Sequence, residues 1–135
     1  MLSLFLFNRM ELTLLYSNTA NFRGNDTMNF EKYWRHYVSI CEYKYDKNLE
    51  EMVSIIRSNN VDIVGMSEVD ECADWSGWIN QPKTIADKIH FDSAFCKNYY
   101  SPLPQIYCAD TGNAVLSRFP IIDKKINNFN YRHIF

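Results

Sequence analysis

Two residues stand where chemistry could be done. Glu68 closes the run Val61-Asp62-Ile63-Val64-Gly65-Met66-Ser67, and Asn18 closes Leu12-Thr13-Leu14-Leu15-Tyr16-Ser17. Each run reads as a short strand, and the run before Glu68 reads as one buried on both faces. A carboxylate where such a strand leaves the core is displayed by a rigid element at the rim of a sheet, where active sites of α/β proteins lie. If the two strands are parallel neighbours, Asn18 shares that rim with Glu68. By itself Glu68 is either an active-site group or a solvated strand-end acid, and single acids at strand ends are common.

Other reactive side chains carry weaker signals. Asp70, Glu71 and Asp74 fall in an acidic, Trp-containing segment, Asp70 to Asn80, that reads as a solvated surface loop. His36 lies off an aromatic stripe and reads as a surface residue; His90 reads as a C-terminal cap residue of a helix. The cysteines at 41, 72, 96 and 108 have neither zinc-knuckle spacing nor the density of a disulfide scaffold, so they read as buried or half-buried free thiols. The loop Asn21 to Asp26 holds only Gly24 and lacks the glycine spacing and lysine of a phosphate-cradling loop.

The elements that must position Glu68 and Asn18 follow from periodicity. Phe30, Tyr33, Trp34, Tyr37, Val38 and Cys41 recur at helical steps and form a core stripe. Leu49, Met52, Val53 and Ile56 give a second helix one apolar face. Asn48 with Glu51 could cap it, Asp46 competes for that role, and Asn59-Asn60 offers a left-handed stop. Helix, stop and strand 61–67 make the second part of a βαβ unit that begins with Leu12–Tyr16. Pro82 opens a third helix with Ile85, Ala86 and Ile89 inward. Strands are expected at Asp92–Cys96, Gln105–Cys108, Asn113–Ser117 and Ile121–Phe129.

Composition bounds the class. With 135 residues, 47% of them apolar, the chain is long enough for one folded domain with one core. A formal net charge of -2, with no lysine or arginine run, shows no broad footprint for nucleic acid. Met1–Phe7 is apolar but far shorter than the roughly 20 residues of a transmembrane helix. It lacks the basic region and small-residue cleavage site of a signal peptide, so residues 1–10 read as an N-terminal extension. An intracellular, reducing compartment is the simpler assumption for four free thiols.

Four motifs, in this order over residues 12–121, resemble one family. They are Leu-Leu-Tyr-Ser-Asn18; Val61-Asp62-Ile63-Val64-Gly65-Met66-Ser67-Glu68-Val69-Asp70; Asn80-Gln81-Pro82 with Ile85-Ala86; and Gly112-Asn113-Ala114-Val115-Leu116-Ser117-Arg118-Phe119-Pro120-Ile121. Together they look like the N-terminal half of the endonuclease/exonuclease/phosphatase superfamily, the metal-dependent phosphoesterases with a DNase I-like fold. The resemblance implies an α/β (α+β) architecture: part of a four-layer sandwich, with mixed sheets face to face and helices on the outer faces. It implies residues 11–135 as a partial domain of that family. It also implies Mg²⁺ (or Mn²⁺) held by the carboxylate of Glu68, with Asn18 beside it as the second catalytic residue. Such an ion takes oxygen ligands, keeps waters, and offsets charge on a phosphoryl group. Asn113 and Ser117 are structural residues of the motif strand.

Departures from the family pattern set the remaining expectations. Its phosphate-contacting His, the Asp that orients it, and its Asp-x-Asn pair belong to a C-terminal half that these 135 residues do not contain. His133 lacks the Ser-Asp-His context, and Asp110 stands where some nucleases of the family carry a Tyr. Hydrolysis by the chain alone is therefore expected to be weak or absent. The substrate is a phosphate ester of open class: nucleic acid, inositol phosphate or lipid. One sheet face should be left uncovered, which favours self-association and gives the alternative function of a non-catalytic binding or assembly module. A small doubly wound domain is a third possibility, disfavoured for nucleotide binding by the absence of a Gly-rich loop after Tyr16.

Overall fold

Residues 11–22, 45–73, 76–99 and 109–126 are described by the computed structural model of the chain. In chain order they form β1 (Leu14–Asn18), a 3-10 turn (Ala20–Phe22), α1 (Tyr45–Ser58), β2 (Ile63–Ala73), α2 (Gln81–Ile89), β3 (Asp92–Tyr99) and β4 (Ala109–Ser117). The architecture is α+β, a mixed four-stranded sheet in the order β1-β2-β4-β3 with two helices. β1 runs parallel to β2, and β4 runs antiparallel to both β2 and β3. No helix among the described residues is long and apolar enough to cross a membrane. The aromatic stripe Phe30–Cys41, the Gln105–Cys108 strand, residues 1–10, His36, Asp74, Cys41, Cys108 and His133 lie outside the described residues.

The helices form where apolar spacing and end chemistry agree. Leu49, Met52, Val53 and Ile56 of α1 are buried in one cluster with Val64, Met66, Val69, Ile85, Ala114 and Leu116. The stop of α1 is a Schellman turn. Asn60 takes φ 48°, its N–H donates to Arg57 O at 3.2 Å, and Val61 N–H donates to Ile56 O at 3.1 Å. Asn80 Oδ1 caps α2 by accepting from Lys83 N–H at 2.9 Å, and Pro82 sits in the first turn. At the far end His90 adopts the left-handed cap, φ 59° and ψ 43°, with its N–H on Ala86 O.

Strand alternation divides the sheet into two unlike faces. Val64, Met66, Ala114 and Leu116 point one way, into the helix-covered core. The opposite face carries Leu14 and Tyr16, which are 68% and 73% exposed, with Val115 at 44%. Register aligns Tyr16, Gly65, Val115 and Ala94 in one row across that face, and Asn18, Ser67, Asn113 and Cys96 in the next. No described helix covers it.

Several sequence-based boundaries are corrected. β1 starts two residues later than the apolar run and continues to Asn18. β2 does not end at Ser67 but runs on to Ala73. The expected solvated loop therefore begins as strand, and Asp70 is fully buried instead of solvated. Asn48 lies inside α1, and its Nδ2 donates to Phe22 O at 2.6 Å, so it does not form a capping box. Residues 121–126 are not a strand; Pro120 precedes them, Ile121 N–H turns to the Asp92 carboxylate at 2.9 Å, and Ile122 is left 96% exposed.

Candidate functional site

Asn18 and Glu68 meet at the rim of the parallel pair. The register Asn18↔Ser67 places the end of β1 one residue short of Glu68. Asn18 Nδ2 donates to Glu68 Oε1 at 2.9 Å, across 50 residues of sequence. The amide cannot be reversed without loss, because Asn18 Oδ1 accepts from Ala20 N–H at 3.0 Å. The turn after β1 therefore fixes the carboxamide with its donor toward the carboxylate. Both side chains are exposed at the rim.

The position of Glu68 comes from a β-bulge. The ladder with β4 pairs Ser67 with Asn113 and then Val69 with Gly112, leaving Glu68 as the extra residue. Strict alternation after Val64 and Met66 would turn Glu68 into the core. The bulge takes it out of phase, and Val69 fills the core position instead, fully buried. Gly112 opposite it leaves room for close strand approach; a Cβ there would meet the Cys96 carbonyl and lie 2.9 Å from Phe95 Cζ. Glu68 has φ 54°, a left-handed conformation that costs an L-residue about 1–2 kcal/mol.

Neighbouring groups hold this conformation. Thr19 Oγ1 lies 2.7 Å from Glu68 O and 3.1 Å from Ser67 O, and Thr19 N–H donates to Ser67 O at 3.0 Å. Tyr16 Oη and Ser67 Oγ share a hydrogen bond of 3.0 Å. Beyond the bulge, Asp70 N–H donates at 2.9 Å to Oε1 of Gln81, which is fully buried. Thr19, Tyr16 and Gln81 were not legible as site support from residue type. The parallel register could have indicated Thr19, since the residue after Asn18 must run alongside the residue after Ser67.

The donor set limits what this rim can bind. Among the described residues no group of three or more His, Cys, Asp or Glu side chains is gathered as metal ligands. A zinc site or a calcium cage needs more protein ligands than that. One exposed carboxylate held by an amide fits a hard ion that keeps most of its water, as magnesium does. Cys72 and Cys96 are half-buried and in no disulfide, as the spacing led one to expect. Compared with protein-family models, curated proteins and solved structures, the chain has no match.

Proposed function

We propose that the chain is a Mg²⁺- or Mn²⁺-dependent phosphoesterase related to the endonuclease/exonuclease/phosphatase superfamily, with Glu68 as the metal ligand and Asn18 as the residue that orients it. The observation that supports this most is the 2.9 Å contact between Asn18 Nδ2 and Glu68 Oε1 at one rim. A sheet face that carries exposed Leu14, Tyr16 and Val115 and that no described helix covers is compatible with the inner surface of a two-sheet sandwich. When bound, the ion supplies charge stabilisation for a phosphoryl group. The chain's own contribution is to present one carboxylate in a fixed orientation while leaving the ion's other positions to water and phosphate oxygens. The substrate class is a phosphate ester of nucleic acid, inositol phosphate or lipid.

The test uses the full chain and its Glu68→Ala variant. Weak Mn²⁺ binding, followed by electron paramagnetic resonance, is expected in the parent and absent in the variant; equal binding in both overturns the assignment. Hydrolysis of an aryl phosphodiester with Mg²⁺ or Mn²⁺ is expected to be slow or undetectable. Robust turnover that disappears in Glu68→Ala would keep the metal role and overturn the expectation of weak hydrolysis.

A second reading, a non-catalytic assembly module, rests on the apolar open face around Leu14 and Tyr16. It requires concentration-dependent association in sizing measurements, and a clean monomer excludes it.

A further inference from the structure

We propose that Thr19 is a positioning residue for Glu68: its hydroxyl locks the left-handed bulge that keeps the carboxylate at the rim instead of in the core. The inference deepens the metal-ligand reading of Glu68, and it rests on that reading for its functional meaning alone. Three observations carry it. Glu68 is a non-glycine residue at φ 54°, a conformation that persists only when its surroundings enforce it. The bulge falls between Ser67 and Val69, the two residues whose ladder partners, Asn113 and Gly112, are consecutive. The hydroxyl and amide of Thr19 together reach both carbonyls that flank the irregular peptide, Ser67 O at 3.1 and 3.0 Å and Glu68 O at 2.7 Å.

The geometry explains why a threonine serves here. The shorter contact takes the single hydroxyl proton, so Thr19 bonds the carbonyl of the strained residue itself. Its N–H satisfies the carbonyl just before, which closes the β1–β2 ladder. Without the hydroxyl, Glu68 O loses the 2.7 Å bond, the one described contact made directly to the carbonyl of the left-handed residue. The relaxed strand would be free to slip toward regular alternation, with Glu68 turned inward and Asn18 deprived of its partner.

The experiment is solution NMR on the full chain, comparing the parent with Thr19→Val, which removes only the hydroxyl, and Thr19→Ser, which keeps it. The φ-dependent scalar couplings of Glu68 are expected to report positive φ in the parent and in Thr19→Ser, and an averaged or extended value in Thr19→Val. Mn²⁺ titration, read as paramagnetic broadening of the Asn18 side-chain amide, is expected to weaken about tenfold in Thr19→Val and to recover in Thr19→Ser. Positive φ retained in Thr19→Val with unchanged Mn²⁺ affinity overturns the proposal. If Mn²⁺ broadens nothing in the parent, the metal reading of Glu68 fails while the couplings still decide the lock. If Thr19→Val does not fold, the double variant Thr19→Val/Glu68→Gly decides: glycine adopts positive φ freely, so recovered folding supports the lock and continued misfolding overturns it.

Discussion

Replacing Gln81 by leucine should destabilise the fold by much more than its distance from the rim suggests. Gln81 is fully buried at the start of α2, and its Oε1 accepts from Asp70 N–H, itself part of a fully buried residue. Asp70 lies between the two irregularities of β2, at Glu68 and after Asp70, where the β4 ladder is interrupted. Leucine has nearly the volume of glutamine but no acceptor. The Asp70 amide would then be stranded without water, at a cost of about 1–3 kcal/mol. For a chain of this length, 1 kcal/mol corresponds to roughly 3–5 °C in Tm, so Gln81→Leu should melt roughly 3–15 °C lower. The assay is urea and thermal unfolding followed by far-UV circular dichroism, with the urea slope unchanged. Lys83→Ala, two residues further along α2, is the control. It removes an exposed ion pair with Asp87 at 2.8 Å and should change stability by no more than about 0.5 kcal/mol. Gln81→Leu matching that control would refute the claim that this buried bond holds β2 to α2.

Other perturbations read the same architecture. Leu116→Ala empties the centre of the helix-covered face, where Leu116 is fully buried, and should cost about 2–5 kcal/mol in chemical denaturation. Asn60→Ala should cost about 1 kcal/mol because alanine resists the φ of 48° that ends α1, whereas Asn60→Gly should be neutral or slightly stabilising in the same assay. Leu14→Lys should leave the fold intact, since its side chain is mostly exposed, and should reduce any self-association seen by light scattering.

What the sequence disclosed depended on whether a feature is local. The inward face of α1, its stop at Asn59-Asn60 and the start of α2 at Pro82 follow from spacing and end chemistry within a few residues, and all three are as expected. The meeting of Asn18 and Glu68 needed only strand ends and one assumption, that the two strands are parallel neighbours, which they are. The continuation of β2 past Glu68 was hidden because Glu68, Asp70 and Glu71 look like a solvated turn. Burial of Asp70 depends on Gln81, eleven residues away in sequence, and no periodicity announces such a partner. The Ile121 run has strand-forming residues, yet the Asp92 carboxylate captures its first amide. The capping role of Asn48 was displaced by a tertiary bond to Phe22, which no local rule contains.

The parallel pairing of β1 with β2 has a kinetic consequence. β3 and β4 meet at Tyr99↔Thr111, across a short connection, and need no distant strand to begin pairing. β1 must be brought back to β2 over some 50 residues, and closing that longer loop costs about 1.3 kcal/mol more than closing the β3–β4 hairpin. Among the described residues β1 is also an edge strand with a single neighbour. It should therefore dock late in folding and exchange its amide hydrogens early in native conditions, while β2 and β4 remain protected. Because Asn18 and Thr19 arrive with it, the rim exists only when the last strand is seated, and anything that binds there will slow the opening of β1 before it slows any other part of the sheet.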